Sequence, residues 1–375
     1  MFRRDGQHNV GPVAPKDSWR IRSAYAVQRL AILSTIPRSG TWYLRYALAF
    51  LSHLNRGGCI TDRVTGEVIG NPMGSQFDLV SFRGGPLFHL ADTLPLEHLF
   101  IGHSVCPGFE AIVDRHAWWR QTEFHVPGYD YFRQGFDYQF TPVALADYEN
   151  TPTNIAELEA APWSASGMRM ALVYRNPLDQ AASFYHYCCS HENPAYSEVN
   201  GGRLAGIPFE EYLFDFALPS YAKLFVSYEA MARCLPTQVR LMTYSRLMGS
   251  QAQAIGELLS HFSNGVPVDS TRIETAAHLA RPAHLRQIEA ELGRPLDGLQ
   301  VAGATHMRRG THWRGLYDGA TQAQAKRYLS SLGIDTKLID WPLAEDFSRR
   351  SRYGDKALLD VRQRRGIGEA GRCPP

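Results

Sequence analysis

The stretch Leu30-Ala-Ile-Leu-Ser-Thr-Ile-Pro-Arg-Ser-Gly-Thr-Trp-Tyr-Leu-Arg-Tyr-Ala-Leu-Ala-Phe50 decides the fold. Its apolar run from Leu30 to Ile36 has the length and composition of a buried strand, and Pro37 ends it. Leu44, Ala47, Leu48 and Leu51 then recur at helical spacing and make one apolar face. Arg38-Ser39-Gly40-Thr41 is therefore a strand-to-helix turn. Free N–H groups at a helix N-terminus bind anions, and Gly40 lets the backbone approach them closely. Arg38 adds a fixed positive charge; Ser39 and Thr41 add hydroxyls. The turn reads as a phosphate cradle or as an ordinary capped helix. It is not a Walker A loop, because no Gly-x-x-x-x-Gly-Lys-[Ser/Thr] is present.

Three further apolar runs extend the pattern. His98-Leu-Phe-Ile-Gly-His-Ser104 reads as a second strand and leaves His103 at its carboxyl end, where open α/β sheets place function. A lone histidine there is either a capping or core residue or a working base. Met168–Tyr174 reads as a third strand. After it, Asn176 suits an N-cap, Pro177 the first helical position and Asp179 the positive end of the dipole. Ser183 follows Arg175 by eight positions, about two helical turns. The two reach one anion only if the helix packs back across the strand end. Gln238–Tyr244 reads as a fourth strand, and Ala254–Phe262 as an amphipathic helix. Residues 272–292 read as a charged helix with a solvated face, and 320–332 as a closing helix. Strands alternating with helices define an α/β fold with a mainly parallel sheet flanked by helices.

A chain of 375 residues can bury a large core. Hydrophobic residues make up 44% and charged residues 20%, with a net charge of +2, so nothing drives the whole surface toward nucleic acid. No apolar run is long enough to span a bilayer. The N-terminus lacks the apolar core of a signal sequence, and the cysteines at 59, 106, 188, 189, 234 and 373 make no metal or disulfide framework. A reducing, cytoplasmic setting is the expectation. Residues 1–28 read as a loosely ordered lead-in, 29–347 as one α/β domain and 348–375 as a basic, disordered tail. Residues 57–95 are rich in Gly and Pro and read as loops with short strands near a substrate entrance. Residues 115–165 carry Trp118, Trp119, Phe124, Tyr129, Tyr131 and further aromatics without a clean period. They read as an inserted pocket wall or as an extra packing layer.

Four stretches, in order, resemble the sulfotransferase family that uses 3′-phosphoadenosine 5′-phosphosulfate (PAPS). Pro37-Arg-Ser-Gly-Thr41 is similar to the family's 5′-phosphosulfate loop. Gly102-His103-Ser104 lies where the family carries its catalytic histidine. Tyr174-Arg-Asn-Pro-Leu-Asp-Gln-Ala-Ala-Ser-Phe-Tyr-His186 resembles its 3′-phosphate strand and helix. Arg308-Arg-Gly310, followed by Trp313, resembles the late loop that closes on the same phosphate; taken alone it reads as a surface turn. The resemblance implies a P-loop-like sulfotransferase fold and metal-free transfer of a sulfuryl group to a hydroxyl or amine of a small-molecule or saccharide acceptor. It implies His103 as general base and Arg38 at the leaving phosphate; were His103 only structural, Glu110, His186 or another group would have to serve, although His186, well inside a helix beside Tyr185 and Tyr187, reads as packing. It further implies a PAPS site of Arg38, Ser39, Gly40, Thr41, Trp42, Arg175, Ser183, Tyr228, Arg308, Arg309 and Gly310.

The chain departs from the family pattern at several positions. Arg38 replaces the commoner Lys, Trp42 replaces a second Thr, and Ile101 replaces a Lys two positions before the histidine. Ser245-Arg246 stands where an acidic pair is common. A positive group near the transferred sulfuryl must then come from elsewhere. Two other classes compete: a P-loop kinase, opposed by the missing Walker lysine, and a nucleotide-binding module without transfer activity.

Overall fold

The protein is described by a computed structural model. It covers residues 30–80, 82, 87–89, 98–103, 105–106, 109, 112, 116, 118–119, 169–189, 198–199, 202–263, 268–296 and 315–342. The lead-in, the basic tail, most of the aromatic stretch, Glu110 and the late loop with Arg308, Arg309, Gly310 and Trp313 lie outside the described residues.

Strand β1 (Leu30–Thr35) leads through the loop into helix α1 (Thr41–Asn55). A hairpin of β2 (Cys59–Thr61) and β3 (Val68–Gly70) follows, then β4 (Leu87–His89) and β5 (His98–Gly102). Next come β6 (Arg169–Tyr174), α2 (Pro177–Cys189) and a small hairpin of β7 (Glu198–Val199) and β8 (Gly202–Arg203). Helix α3 (Leu218–Cys234) precedes β9 (Val239–Thr243). Helices α4 (Tyr244–Gly249), α5 (Gln251–Phe262), α6 (Ser270–Leu279), α7 (Pro282–Leu292) and α8 (Gly319–Ser331) complete the described chain.

The main sheet has the order β4-β5-β1-β6-β9. β1 pairs in parallel with β5 and β6, and β6 in parallel with β9, while β4 adds an antiparallel edge. The fold is thus α/β with a mainly parallel sheet between helices. Alternation along the strands divides the core. Ala31, Leu33, Ala171 and Val173 pack with α1, α5, α6 and α7. Ile32, Met170, Leu172 and Tyr174 pack on the other face with α2, α3 and α8. Successive strand side chains point to opposite faces, so a strand covered on both sides is apolar along most of its length.

Two expectations change. Residues 272–292 form two helices, because Pro282 cannot continue α6 and instead opens α7 at its first turn. Their buried face is substantial: Ile273, Ala276, Leu279, Leu285 and Ile288 are at most 4% exposed. These helices are a packing layer over α1, and only their outer side is solvated. In the aromatic stretch, Trp118 and Trp119 follow the packing alternative. Trp118 Nε1 donates to the Leu332 carbonyl at 3.1 Å, and Trp119 Nε1 donates to the Lys223 carbonyl at 2.7 Å.

Candidate functional site

The loop between β1 and α1 is wound tightly. Arg38 has φ 69° and is the one non-glycine residue with positive φ among those described; Gly40 has φ 93°. Left-handed residues of this kind build anion-binding concavities, and a non-glycine residue there carries backbone strain. Gly40 is required for a second reason. A Cβ at that position would lie 3.0 Å from Leu247 Cδ2 and 3.4 Å from Tyr244 Cε2. Gly40 is the N-cap of α1, and no side chain caps this helix. Its first intrahelical bond is Leu44 N–H to the Gly40 carbonyl, at 3.0 Å, so the amides of the first turn have no intrahelical partner. Ser39 is fully buried, and its Oγ has no hydrogen-bond partner among the described residues. A buried hydroxyl without a partner beside an uncapped helix end fits an anion held in this loop.

Around the loop the structure assembles residues distant in sequence. Arg38 Nε donates to Ser183 Oγ at 3.2 Å, and its guanidinium lies 5.2 Å from the Tyr187 ring centroid. Helix α2 therefore does pack back across the strand end. Gln180, buried on the same helix, donates from Nε2 to the Pro37 carbonyl at 3.0 Å. Asn176 Oδ1 accepts from the amides of Leu178 and Asp179, as an N-cap does. Arg175 lies 4.0 Å from Asp179 and stacks over Tyr244, 4.8 Å from its centroid. Tyr244 thus touches both the Gly40 approach and Arg175. The Asp179 carboxylate also accepts from the Tyr317 hydroxyl. That contact anchors the chain seven residues after Gly310 at the start of α2.

His103 follows the end of β5 and is half-buried. Its Nδ1 lies 2.6 Å from the Thr35 carbonyl. A carbonyl only accepts, so Nδ1 carries the proton and the lone pair of the neutral ring resides on Nε2. Thr35 Oγ1, fully buried, lies 2.6 Å from Thr41 Oγ1, 3.2 Å from His103 Nδ1 and 3.4 Å from the Gly102 carbonyl. One turn after Thr41 on α1, Arg45 donates to the Ile101 carbonyl at 2.8 Å and lies 5.0 Å from the Trp42 ring centroid. A cation is thus held two positions before His103, where the sequence itself has Ile101.

Arg38, Ser39, Gly40, Thr41, Trp42, His103, Arg175 and Ser183 gather at the carboxyl ends of β1, β5 and β6. Tyr228 does not join them. It is fully buried in the core and sits seven residues along α3 from Tyr221, whose hydroxyl donates to the Arg175 carbonyl at 2.9 Å. Seven residues of helix carry Tyr228 about 10 Å from that contact, toward the opposite end of the sheet. His186 lies within α2 beside Tyr185, with ring centroids 6.1 Å apart. Thr35, Arg45 and Tyr244 were not anticipated as site residues. Thr35 precedes the loop by one turn and Arg45 falls one turn after Thr41, so helical and strand spacing could have suggested both. Tyr244 enters only through tertiary packing. Among the described residues, no group of three or more His, Cys, Asp or Glu side chains could hold a metal ion, and no helix is long and apolar enough to cross a membrane.

No protein-family model matches the chain, and no curated protein matches it. Solved structures give distant likenesses. One is mouse sulfotransferase SULT7A1 complexed with PAP, at 14% identity and TM-score 0.41, covering 88% of each chain. Another is retinol dehydratase in complex with androsterone and the inactive cofactor PAP, at 11% identity and TM-score 0.41, again covering 88% of each chain. A likeness this distant carries no weight on function, which rests on the chain's own residues.

Proposed function

We propose that the chain is a sulfotransferase that takes PAPS as donor and transfers its sulfuryl group to a hydroxyl or amine of a small-molecule or saccharide acceptor. The observation that carries this reading is the meeting of the Arg38 loop with Ser183, at the end of the sheet that also holds His103. The unsatisfied Ser39 hydroxyl and the uncapped α1 fit a bound phosphate or sulfate. Arg38, Ser39, Gly40, Thr41 and Trp42 are assigned to the 5′-phosphosulfate side. Arg175 and Ser183 are assigned to the 3′-phosphate, together with Arg308, Arg309 and Gly310 from the late loop.

The donor supplies the sulfuryl group and a phosphate as leaving group. The protein's share is charge placement and one proton. Nε2 of His103 takes the proton of the acceptor hydroxyl as its oxygen forms the new bond to sulfur. Arg38 and the first-turn amides of α1 meet the negative charge that develops when the bond from sulfur to the phosphate oxygen breaks. Arg45, held by the Ile101 carbonyl, supplies the second cation near His103.

Titration calorimetry with 3′-phosphoadenosine 5′-phosphate (PAP), adenosine 5′-phosphate and ATP tests the assignment. Tight binding of PAP with weak binding of the other two is expected. Preference for ATP would replace this reading with a kinase.

A further inference from the structure

The polar contacts of Thr35 form a chain with a direction. His103 Nδ1 carries a proton, because it lies 2.6 Å from the Thr35 carbonyl. The same proton faces Thr35 Oγ1 at 3.2 Å, so this hydroxyl serves the ring as an acceptor. A hydroxyl has a single proton of its own. Thr35 has two places to send it: Thr41 Oγ1 at 2.6 Å or the Gly102 carbonyl at 3.4 Å. With the loop empty, Thr41 can donate to Thr35 Oγ1 and Thr35 to the Gly102 carbonyl; a group that takes the Thr41 proton turns Thr41 into the acceptor of the Thr35 hydroxyl. Thr41 opens α1 beside the buried Ser39 hydroxyl. An anion in the loop accepts that proton and aligns every bond in one sense: His103 to Thr35, Thr35 to Thr41, Thr41 to the anion. Aligned hydrogen bonds polarise and strengthen one another.

We propose that Thr35 is a positioning residue that couples filling of the anion loop to the orientation and hydrogen bonding of His103. Thr35 touches no reacting atom. It works by holding Nδ1 from two sides, with its carbonyl and its hydroxyl, so that Nε2 keeps the lone pair. The identity of the anion rests on the function proposed above; the contacts of Thr35 do not.

Nuclear magnetic resonance on protein with nitrogen-labelled histidine tests this, with the His103 signals assigned from a His103→Gln variant. Spectra are recorded for wild type, Thr35→Val and Thr35→Ser, each without ligand and with PAP. Without ligand, all three should show the Nδ1–H tautomer, because the Thr35 carbonyl is kept, with the Nδ1 signal of Thr35→Val displaced from the other two by loss of the hydroxyl contact. On addition of PAP the Nδ1 signal should move in wild type and Thr35→Ser and stay in place in Thr35→Val. In turnover, Thr35→Val should lower kcat about tenfold, the size of one hydrogen bond to a group that becomes charged, and shift the donor KM little. Thr35→Ser should recover most of that loss. Identical ligand-free His103 spectra in wild type and a folded Thr35→Val protein would overturn the proposal, whether or not PAP binds. Absence of PAP binding in wild type would instead count against the sulfotransferase reading alone, and the ligand-free spectra would still decide on Thr35.

Discussion

Two polar clusters hold an arginine against buried groups, and they are completed differently. At Asp62, next to the β2–β3 hairpin, the buried carboxylate is matched. Arg281 Nη2 donates to its carboxylate at 2.5 Å, His278 Nε2 lies at 3.4 Å, and the Val64 amide donates at 2.9 Å. Burial alone would raise the Asp62 pKa, but the Val64 amide and the Arg281 guanidinium lower it to about 2. In the loop after β1, polar groups are placed with no such closure. Among the described residues Ser39 Oγ has no partner, α1 has no side-chain cap, and Arg38 holds a left-handed backbone. A cluster that serves only the fold satisfies its own donors and acceptors; a binding loop keeps donors in position for something else.

Substitutions in the loop region should cost activity more than stability, and those at the Asp62 clasp the reverse. The largest effect is expected at His103. His103→Ala should lower turnover by about 10²–10⁴ with PAP affinity nearly unchanged, as steady-state rates and calorimetry would show. Survival of near wild-type turnover would make His103 a capping residue. Arg38→Ala should lower turnover by roughly 10²–10³, the range for one preorganised donor, and Arg38→Lys should recover a large part. A change confined to the donor KM would leave Arg38 as a simple anchor. Arg175→Ala should weaken PAP by about ten- to a hundredfold, the cost of one charge-assisted contact, while adenosine 5′-phosphate is hardly affected. Equal weakening of both would point to general damage at the strand end.

On the clasp side, Arg281→Ala leaves a buried carboxylate without its guanidinium partner. A loss of about 3 kcal/mol in denaturant unfolding is expected, with the donor KM unchanged. The smallest effect concerns pH. Burial lowers the pKa of His261 and of His284, the latter fully buried. Their unfolded forms bind protons more readily, so their contribution to stability is complete above the unfolded value of about 6.5 and declines as pH falls below it. The Asp62 contribution persists through that range and is lost only as pH falls from about 4 toward 2. Melting temperatures measured from pH 8 downward should first drop near pH 6, and His284→Gln should flatten that step. A flat profile through pH 6 in wild type would remove both histidines from the explanation.

The loop side of this contrast was legible in the sequence. The loop and its two flanking elements announce themselves by an unbroken apolar run followed by helical spacing. Strands β5, β6 and β9 fall within a residue or two of their apolar runs, and Asn176-Pro177 opens α2 as its chemistry requires. Helix α3 was not legible. From Leu218 to Met231 every one of its residues is buried, so it has no polar stripe to set a period. The two-helix layer of α6 and α7 was misread because charged residues on its outer face interrupt the buried Ile and Leu positions and the break at Pro282 was passed over. Tyr244 escaped notice because its role arises where chain-distant elements meet, which local pattern does not encode, whereas Thr35 and Arg45 flank the loop closely enough for spacing to have suggested them.

The measurement that tests the central claim most directly is transfer of labelled sulfuryl from PAPS to a panel of hydroxyl and amine acceptors, with products read by mass spectrometry. A sulfated product whose formation is lost in His103→Ala, while that variant still binds PAP, is the predicted result. Wild-type protein that fails to bind PAP, or that binds it and sulfates nothing in a broad panel, would contradict it.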